Sequence, residues 1–232
     1  MAKIVEREPA PFEGFGPHAL EFFEGLEADN SKGYWSAHKA QYDEEIAEPL
    51  RALAESLAPR FGEAKIFRPY RDVRFSPDKR PYQEHASLGI HGPQLGSEHG
   101  ALYLQLSPEG LLLAGGLYAP ARDQLERFRD LQDDPDETEI LDALLERLAM
   151  AGYPLGSGAP VKTAPRGRPV DHPRIELIRR TMLTVAHTFA PAPWFFAAEA
   201  LDRVVAGFET IGQWNAWLGR HVGPSEKPLR AY

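Results

Sequence analysis

Between residues 67 and 85 the chain reads FRPYRDVRFSPDKRPYQEH, with Arg68, Arg71, Arg74, Lys79 and Arg80 interleaved with Tyr70, Phe75 and Tyr82. Guanidinium forks bind phosphate or carboxylate bidentately, and aromatic faces stack on a base or on another guanidinium. Read as a strand, the segment alternates its side chains between two faces. Arg68, Tyr70, Asp72 and Arg74 then share one face, and Arg71, Val73 and Phe75 the other. Val73 and Phe75 are expected in the core, which makes Arg71 a buried or rim ion pair. The turn Ser76-Pro77-Asp78-Lys79 would bring Asp78 and Lys79 back toward the first face. Arg68, Arg71, Arg74 and Lys79 are thus candidate anion ligands, and Tyr70 and Tyr82 candidate stacking faces. Asp72, Asp78 and His85 are candidates for acid–base work. A structural reading stands equal beside this one: Asp72 pairs with Arg68 and Arg74, and Glu44, Glu45 and Glu48 neutralise the rest.

A second basic run, KTAPRGRPVDHPRIELIRR, covers residues 162–180. It reads as a loop leading into a helix whose first turn suits Pro173. Arg166 and Arg168, together with Lys162, would sit before a helix N-terminus, where free N–H groups and the dipole favour an anion. His172 is the second histidine beside such a motif and a candidate proton carrier. Asp171 is the better candidate for plain N-cap. Residues 59–82 and 162–180 each carry a net charge of +4 in a chain of net −8, which leaves −16 on the remainder. Clustered cations repel, so segregation of this size calls for compensation, from a ligand or from the protein's own carboxylates.

Other reactive types carry less. The chain has no cysteine, which excludes disulfides, thiolate metal sites and a cysteine nucleophile. Eight histidines are present, but none shows helical metal-ligand spacing, so no metal site is assigned. A divalent ion accompanying a phosphate is not indicated by ligand spacing, and no cofactor is assigned. His38 and His187 lie on apolar patterns and read as satisfied core histidines. His91 and His99 fall, like His85, in a glycine-rich connection. The pair Gly115-Gly116 is expected to mark a bulge. No apolar run is long enough for a transmembrane helix, and the first residues lack a secretory pattern, so a cytoplasmic protein without membrane partners is expected.

The elements that must hold these residues follow from periodicity. Gly16-Pro17 should open a helix through Leu20, Phe23 and Leu26. Asn30 or Ser31 can cap a second helix through Trp35, Tyr42, Ile46 and Leu57, kinked at Pro49 and ended by Pro59 and Gly62. KIFRPYRDVRF alternates as an extended segment with Pro69 at its margin. ALYLQLSPEGLLLAGGLY reads as a hairpin turning at Ser107-Pro108-Glu109-Gly110. A short helix surrounds Leu125 and Phe128, and Asp134-Pro135 opens another. MLTVAHTF reads as a strand, and Trp194 to Leu218 as helical. Helices and strands come in groups, which predicts an α+β fold with a mainly antiparallel sheet packed with helices. We expect a single domain over 12–222, with tails at 1–11 and 223–232. No Walker or dinucleotide glycine loop is present.

Four separated pieces carry a family resemblance. They are FEGFGPHALEFFEGLEADNSKGYWSAHKAQYDEEIAEPLRAL, KIFRPYRDVRFSPDKRPYQEH, YLQLSPEGLLLAGGLYAP and PRGRPVDHPRIELIRR. Together, from about Phe12 to Phe189, they resemble the uncharacterised bacterial family catalogued as domain of unknown function 2461. The resemblance implies a single-domain protein of about this length and no established activity. It places Arg71, Asp72, Arg74, Phe75, Ser76, Asp78, Lys79, Pro81, Tyr82 and His85 in one motif. Gly115, Gly116, Tyr118, Pro120, Pro165, Arg166, Gly167, Asp171, His172 and Pro173 fall in the others. Tyr34-Trp35 stands where the family reads Trp-Phe. Gln83-Glu84 stands where it reads Lys-Thr, which puts an acid in place of a cation beside the site.

The leading functional expectation is a pocket, formed where the two basic segments converge, for a phosphate-bearing small molecule or nucleotide. The alternative is a non-enzymatic binding module for nucleic acid or an acidic protein, with an open basic surface and strong salt dependence. A third reading has the arginines only cross-linking the fold.

Overall fold

The structure, a computed structural model, describes residues 11–72, 74, 78–92, 97–156, 158 and 160–226. The chain divides into two compact units. The first takes the chain up to Gly89 with Leu104–Leu111 and Phe189–Val205; the second takes Ile90–Tyr103, Leu112–Thr188 and Ala206 onward.

In the first unit α1 spans Ala19–Ala28 and α2 spans Lys32–Tyr42. Pro17 falls just before α1 rather than in its first turn. Ser31, not Asn30, caps α2 by accepting from the Tyr34 amide at 3.1 Å. The expected kink at Pro49 takes the form of a π turn over Asp43–Ala47, followed by α3 over Glu48–Phe61. The cause is covalent. Proline has no N–H to give the Glu45 carbonyl, and that carbonyl instead accepts from the Gly16 amide at 2.8 Å. Gly62, with φ +94°, ends α3 as expected. Phe22, Phe23, Leu26, Ile46, Leu53 and Leu57 fill the helical core of this unit.

Five strands hydrogen-bond in the order β1-β2-β3-β4-β5 in an antiparallel sheet, which makes the fold α+β as predicted. They are β1 (Ala64–Ile66), β2 (Ala86–Gly92), β3 (Ser97–Ser107), β4 (Gly110–Leu117) and β5 (Leu183–Phe189). The β3–β4 hairpin turns where the sequence places it. Gly110 has φ +122°, and a Cβ there would lie 1.9 Å from the Phe189 carbonyl oxygen. The expected strand over KIFRPYRDVRF does not form as read: of its described residues only Lys65 and Ile66, the end of β1, enter a strand, beyond an isolated bridge at Tyr70. Val73, Phe75, Ser76 and Pro77, and with them the expected core face and turn, lie outside the described residues.

The second unit carries α4 (Arg122–Asp130), α5 (Pro135–Met150) and α6 (Ile175–Ile178), with most of α7 (Glu199–His221). Asp134 caps α5, its carboxylate accepting from the amides of Asp136 (3.0 Å) and Glu137 (3.3 Å), with Pro135 in the first turn as predicted. Phe128, Leu144, Val185, Phe208, Ile211 and Trp214 are buried in this unit. The glycine pair marks a close approach of backbone and side chains. A Cβ on Gly115 would lie 2.3 Å from Ile211 Cγ2, and one on Gly116 2.1 Å from the Leu183 carbonyl oxygen.

Candidate functional site

The quoted basic segment in the first unit folds back on itself. Tyr70 bridges Tyr82 antiparallel, the Arg71 amide donates to the Pro81 carbonyl at 2.9 Å, and the Gln83 amide donates to the Pro69 carbonyl at 2.7 Å. Chain reversal sets the arginines against carboxylates of their own segment. Arg71 donates to Asp78 at 2.6 Å and lies 3.7 Å from Glu84, the internal ion pair expected of it. Arg80 forks onto Asp78 (2.7 Å from Nη2) and reaches Glu84 with Nη1. Arg74 grips Asp72 bidentately at 3.0 and 2.7 Å. The expected neutralisers Glu44, Glu45 and Glu48 do not take this part; Glu45 accepts from the His18 amide at 2.7 Å. Asp72, Asp78 and Glu84 do.

These contacts decide what the carboxylates can do. The hydrogen bonds from Arg74 pull the Asp72 carboxyl down to about 2. Those from Arg80, chiefly, hold Asp78 well below the usual carboxylate range. A carboxylate held ionised so firmly is a poor proton carrier near neutrality. Arg68 is exposed and makes no ion pair among the described residues, while its charge adds to the depression of Asp72.

The aromatic candidates separate as well. Tyr82 is buried and stacks on Trp35, ring centroids 4.4 Å apart and planes 5° apart. Tyr70 is 50 % exposed and is the ring with an accessible surface. Asn30, read from sequence as a cap, holds Tyr82 in place. Its amide nitrogen donates to the Tyr82 carbonyl and to Glu84, both at 3.1 Å, and its oxygen accepts from the Tyr82 amide at 3.0 Å. Trp35, Asn30 and Glu84 are therefore residues that the sequence reading missed as parts of this site. The only signal was the departure of Gln83-Glu84 from the family pattern.

His85 is half-buried and makes no hydrogen bond among the described residues. Burial first, and then the charge of Arg71, hold its imidazole below the ordinary histidine value of 6.5, against a weaker pull from Glu84 and Glu109. The unfolded chain protonates this ring more readily than the native one. Stability present above about pH 6.5 is therefore lost as pH falls through the lower native value. In urea melts between about pH 7.5 and about pH 5, wild type should lose more stability than His85→Gln. Equal losses would mean that another group sets the acid limb.

In the second unit the long basic run is mostly tied to backbone and carboxylates. Arg174 forks onto Asp142 at 2.7 Å through both terminal nitrogens. Arg179 donates to the carbonyls of Val161 (2.7 Å) and Lys162 (2.8 Å), and Arg180 donates to the Gly156 carbonyl. The expected helix from Pro173 shrinks to four residues, Ile175–Ile178, with Arg174 at its N-cap position. A single turn has no developed dipole, so the expected anion site at a helix N-terminus is withdrawn, and Asp171 is not its cap. His172 is pinned. Its Nδ1 accepts from the Arg174 amide at 3.0 Å, so Nε2 carries the hydrogen and donates to Asp133 at 3.0 Å. Both ring nitrogens are thereby committed to structure.

What the run does build is a turn. The Arg168 amide donates to the Pro165 carbonyl at 3.0 Å, and Gly167 takes φ +86° at the third position, the type II pattern. This turn borders a half-open cavity of about 380 Å³ lined by Arg122, Glu126, Arg129, Asp130, Pro165, Arg166, Gly167 and Arg168. Arg122 pairs with Glu126 at 2.9 Å, and Arg168 with Asp130 and Asp133. Arg129 donates to the Ile178 carbonyl at 2.9 Å and has no carboxylate partner among the described residues; its burial disfavours the charge it carries. Arg166 is exposed and makes no hydrogen bond or ion pair among them. The lining thus keeps two guanidiniums that enter no ion pair among the described residues. Arg122 and Arg129 are the contributors that sequence reading missed, since they come from α4, some 40 residues away.

Among the described residues no group of three or more His, Asp or Glu side chains is arranged to hold a metal, and no helix is long and apolar enough to cross a membrane. His38 and His187 are hydrogen-bonded as expected, their Nδ1 atoms 2.9 Å from the Tyr34 carbonyl oxygen and 2.7 Å from the Gly152 carbonyl oxygen, but both are half-buried rather than in the core.

Fold and sites together define an α+β protein with an arginine–carboxylate clasp in one unit and an arginine-lined cavity in the other. The chain belongs to the family described as Conserved hypothetical protein (DUF2461), which matches residues 18–217 and bears out the resemblance. No curated protein and no solved structure matches it.

Proposed function

We propose that the protein binds a phosphate-bearing small molecule in the half-open cavity bordered by the Pro165–Arg168 turn. The observation that supports this is that Arg129 and Arg166 line one concavity and neither is in an ion pair among the described residues. Two guanidiniums outside any ion pair among the described residues favour a multiply charged anion, and their forked donors match phosphoryl oxygens. A volume of about 380 Å³ suits a small ligand better than a polymer lying on an open surface. The two basic segments belong to different units, and this cavity needs only the second. His172, the acid–base candidate in this unit, is committed elsewhere and does not line the cavity, so the function proposed is binding. As part of this proposal we place the protein in the cytoplasm.

The first segment has a structural role on this reading. Arg71, Arg80, Asp78, Glu84 and Asn30 form one connected clasp that leaves little capacity for a ligand. Calorimetric titration with pyrophosphate, nucleotides and a short oligonucleotide tests the proposal. Arg166→Ala should weaken pyrophosphate binding by about tenfold or more while leaving the urea midpoint nearly unchanged, since Arg166 is exposed and enters no ion pair or hydrogen bond among the described residues. Binding of the oligonucleotide alone, steeply weakened by salt, would transfer the function to the nucleic-acid alternative.

A further inference from the structure

Resting on that anion site, we infer that Asp130 is a built-in competitor for it: the ligand binds by taking the place of Asp130 on Arg168. Arg168 is only 17 % exposed and spreads its two terminal nitrogens over two different carboxylates, Nη1 to Asp133 and Nη2 to Asp130. The two acids are not equivalent. Asp133 does not line the cavity, and it also accepts from His172, so it is held from two sides. Asp130 lines the cavity, is 71 % exposed, and has no hydrogen-bond partner but Arg168 among the described residues.

Its position in the helix is also unfavourable. Asp130 is the last residue of α4, where the exposed carbonyls and the negative end of the dipole repel a carboxylate. What holds Asp130 there is its ion pair with Arg168, so an anion that offers Arg168 more competes against a carboxylate already disfavoured by its helix. When Asp130 swings away it enters water, where its charge is cheaply rehydrated, and it leaves the cavity edge of Arg168 open. Arg168 keeps Asp133, so the guanidinium stays fixed while its outer donors change partner.

The exchange gives the site selectivity. A singly charged anion that meets one guanidinium gains no more from Arg168 than Asp130 already does. An anion that spans Arg168, Arg129 and Arg166 together gains from cations that Asp130 leaves unsatisfied. Phosphate esters and diphosphates meet that requirement, and acetate does not.

The test is a calorimetric titration of inorganic pyrophosphate, with acetate as comparison, into wild type, Asp130→Asn and Glu126→Gln. Asp130→Asn keeps the shape and removes the competing charge, and should bind pyrophosphate about tenfold more tightly. Glu126→Gln removes the other lining carboxylate, whose partner Arg122 is already 80 % exposed, and should gain less than about threefold. Melting curves check that each variant is folded. Wild-type binding with no gain in Asp130→Asn overturns the exchange and leaves the anion site standing. An equal gain in both variants reduces the effect to net charge, and likewise overturns it. No pyrophosphate binding by wild type or either variant removes the anion site and the exchange together. Binding by Asp130→Asn alone would be the strongest support.

Discussion

Gly116→Ala should unfold the protein or come close to it, at a cost of about 4 kcal/mol or more. Two independent effects add at this position. The backbone has φ +120°, a conformation that an L side chain adopts only under strain. An added Cβ would also lie 2.1 Å from the Leu183 carbonyl oxygen and 2.8 Å from Trp214 Nε1. Those two atoms are partners, the indole N–H donating to that carbonyl at 2.9 Å. The methyl group would therefore wedge apart a buried hydrogen bond between a strand and a fully buried tryptophan. Neither side can move cheaply, since one is β-sheet backbone and the other core. Urea melts give the comparison directly, with Gly212→Ala as control. Gly212 lies within α7 with open space where its Cβ would stand, so alanine should be neutral or stabilise by up to about 1 kcal/mol. A cost below about 1 kcal/mol for Gly116→Ala would mean that β5 and α7 yield far more readily than a packed core does.

Asn30→Ala should cost about 3 kcal/mol, the larger part from groups left unpaired. Asn30 satisfies both backbone groups of Tyr82 and adds a bond to Glu84. Removing it strands an amide and a carbonyl next to a buried ring, and unsatisfied buried groups cost more than a made hydrogen bond returns. Asn30→Asp separates geometry from charge. It keeps the acceptor for the Tyr82 amide but sets a carboxylate where a donor stood 3.1 Å from Glu84. It should be at least as damaging as alanine at neutral pH and should recover in part as the solution is acidified. Because Tyr82 stacks on Trp35, the loss should also appear as a changed tryptophan emission in the folded state. Unchanged stability in both variants would show that the clasp holds without Asn30.

The two experiments probe opposite kinds of element. The hairpin containing Gly116, the Asp134 cap of α5 and the glycine stop of α3 were all legible from a few neighbouring residues, because their causes are local. The basic segment was legible in composition only. Its alternation suggested a strand, yet Tyr70 pairs with Tyr82 of the same segment, and Asn30 holds the return. Short-range periodicity does not reveal a partner twelve or fifty residues away. The second basic run failed differently: one helical turn replaced the expected helix, because His172, Arg174 and Arg179 are drawn to carboxylates and carbonyls elsewhere in their unit.

Sequence by itself determined the α+β class, the family, most elements and the fact that cations cluster in two places. Those follow from residue type and from neighbours in the chain. Which cations are spent and which are left over was decided by tertiary structure alone. Arg71, Arg80, Arg168 and Arg174 look no different in sequence from Arg166. The difference is whether folding brings a carboxylate within about 3 Å of the guanidinium. Coulomb attraction and desolvation depend on that distance and on burial, neither of which chain order specifies.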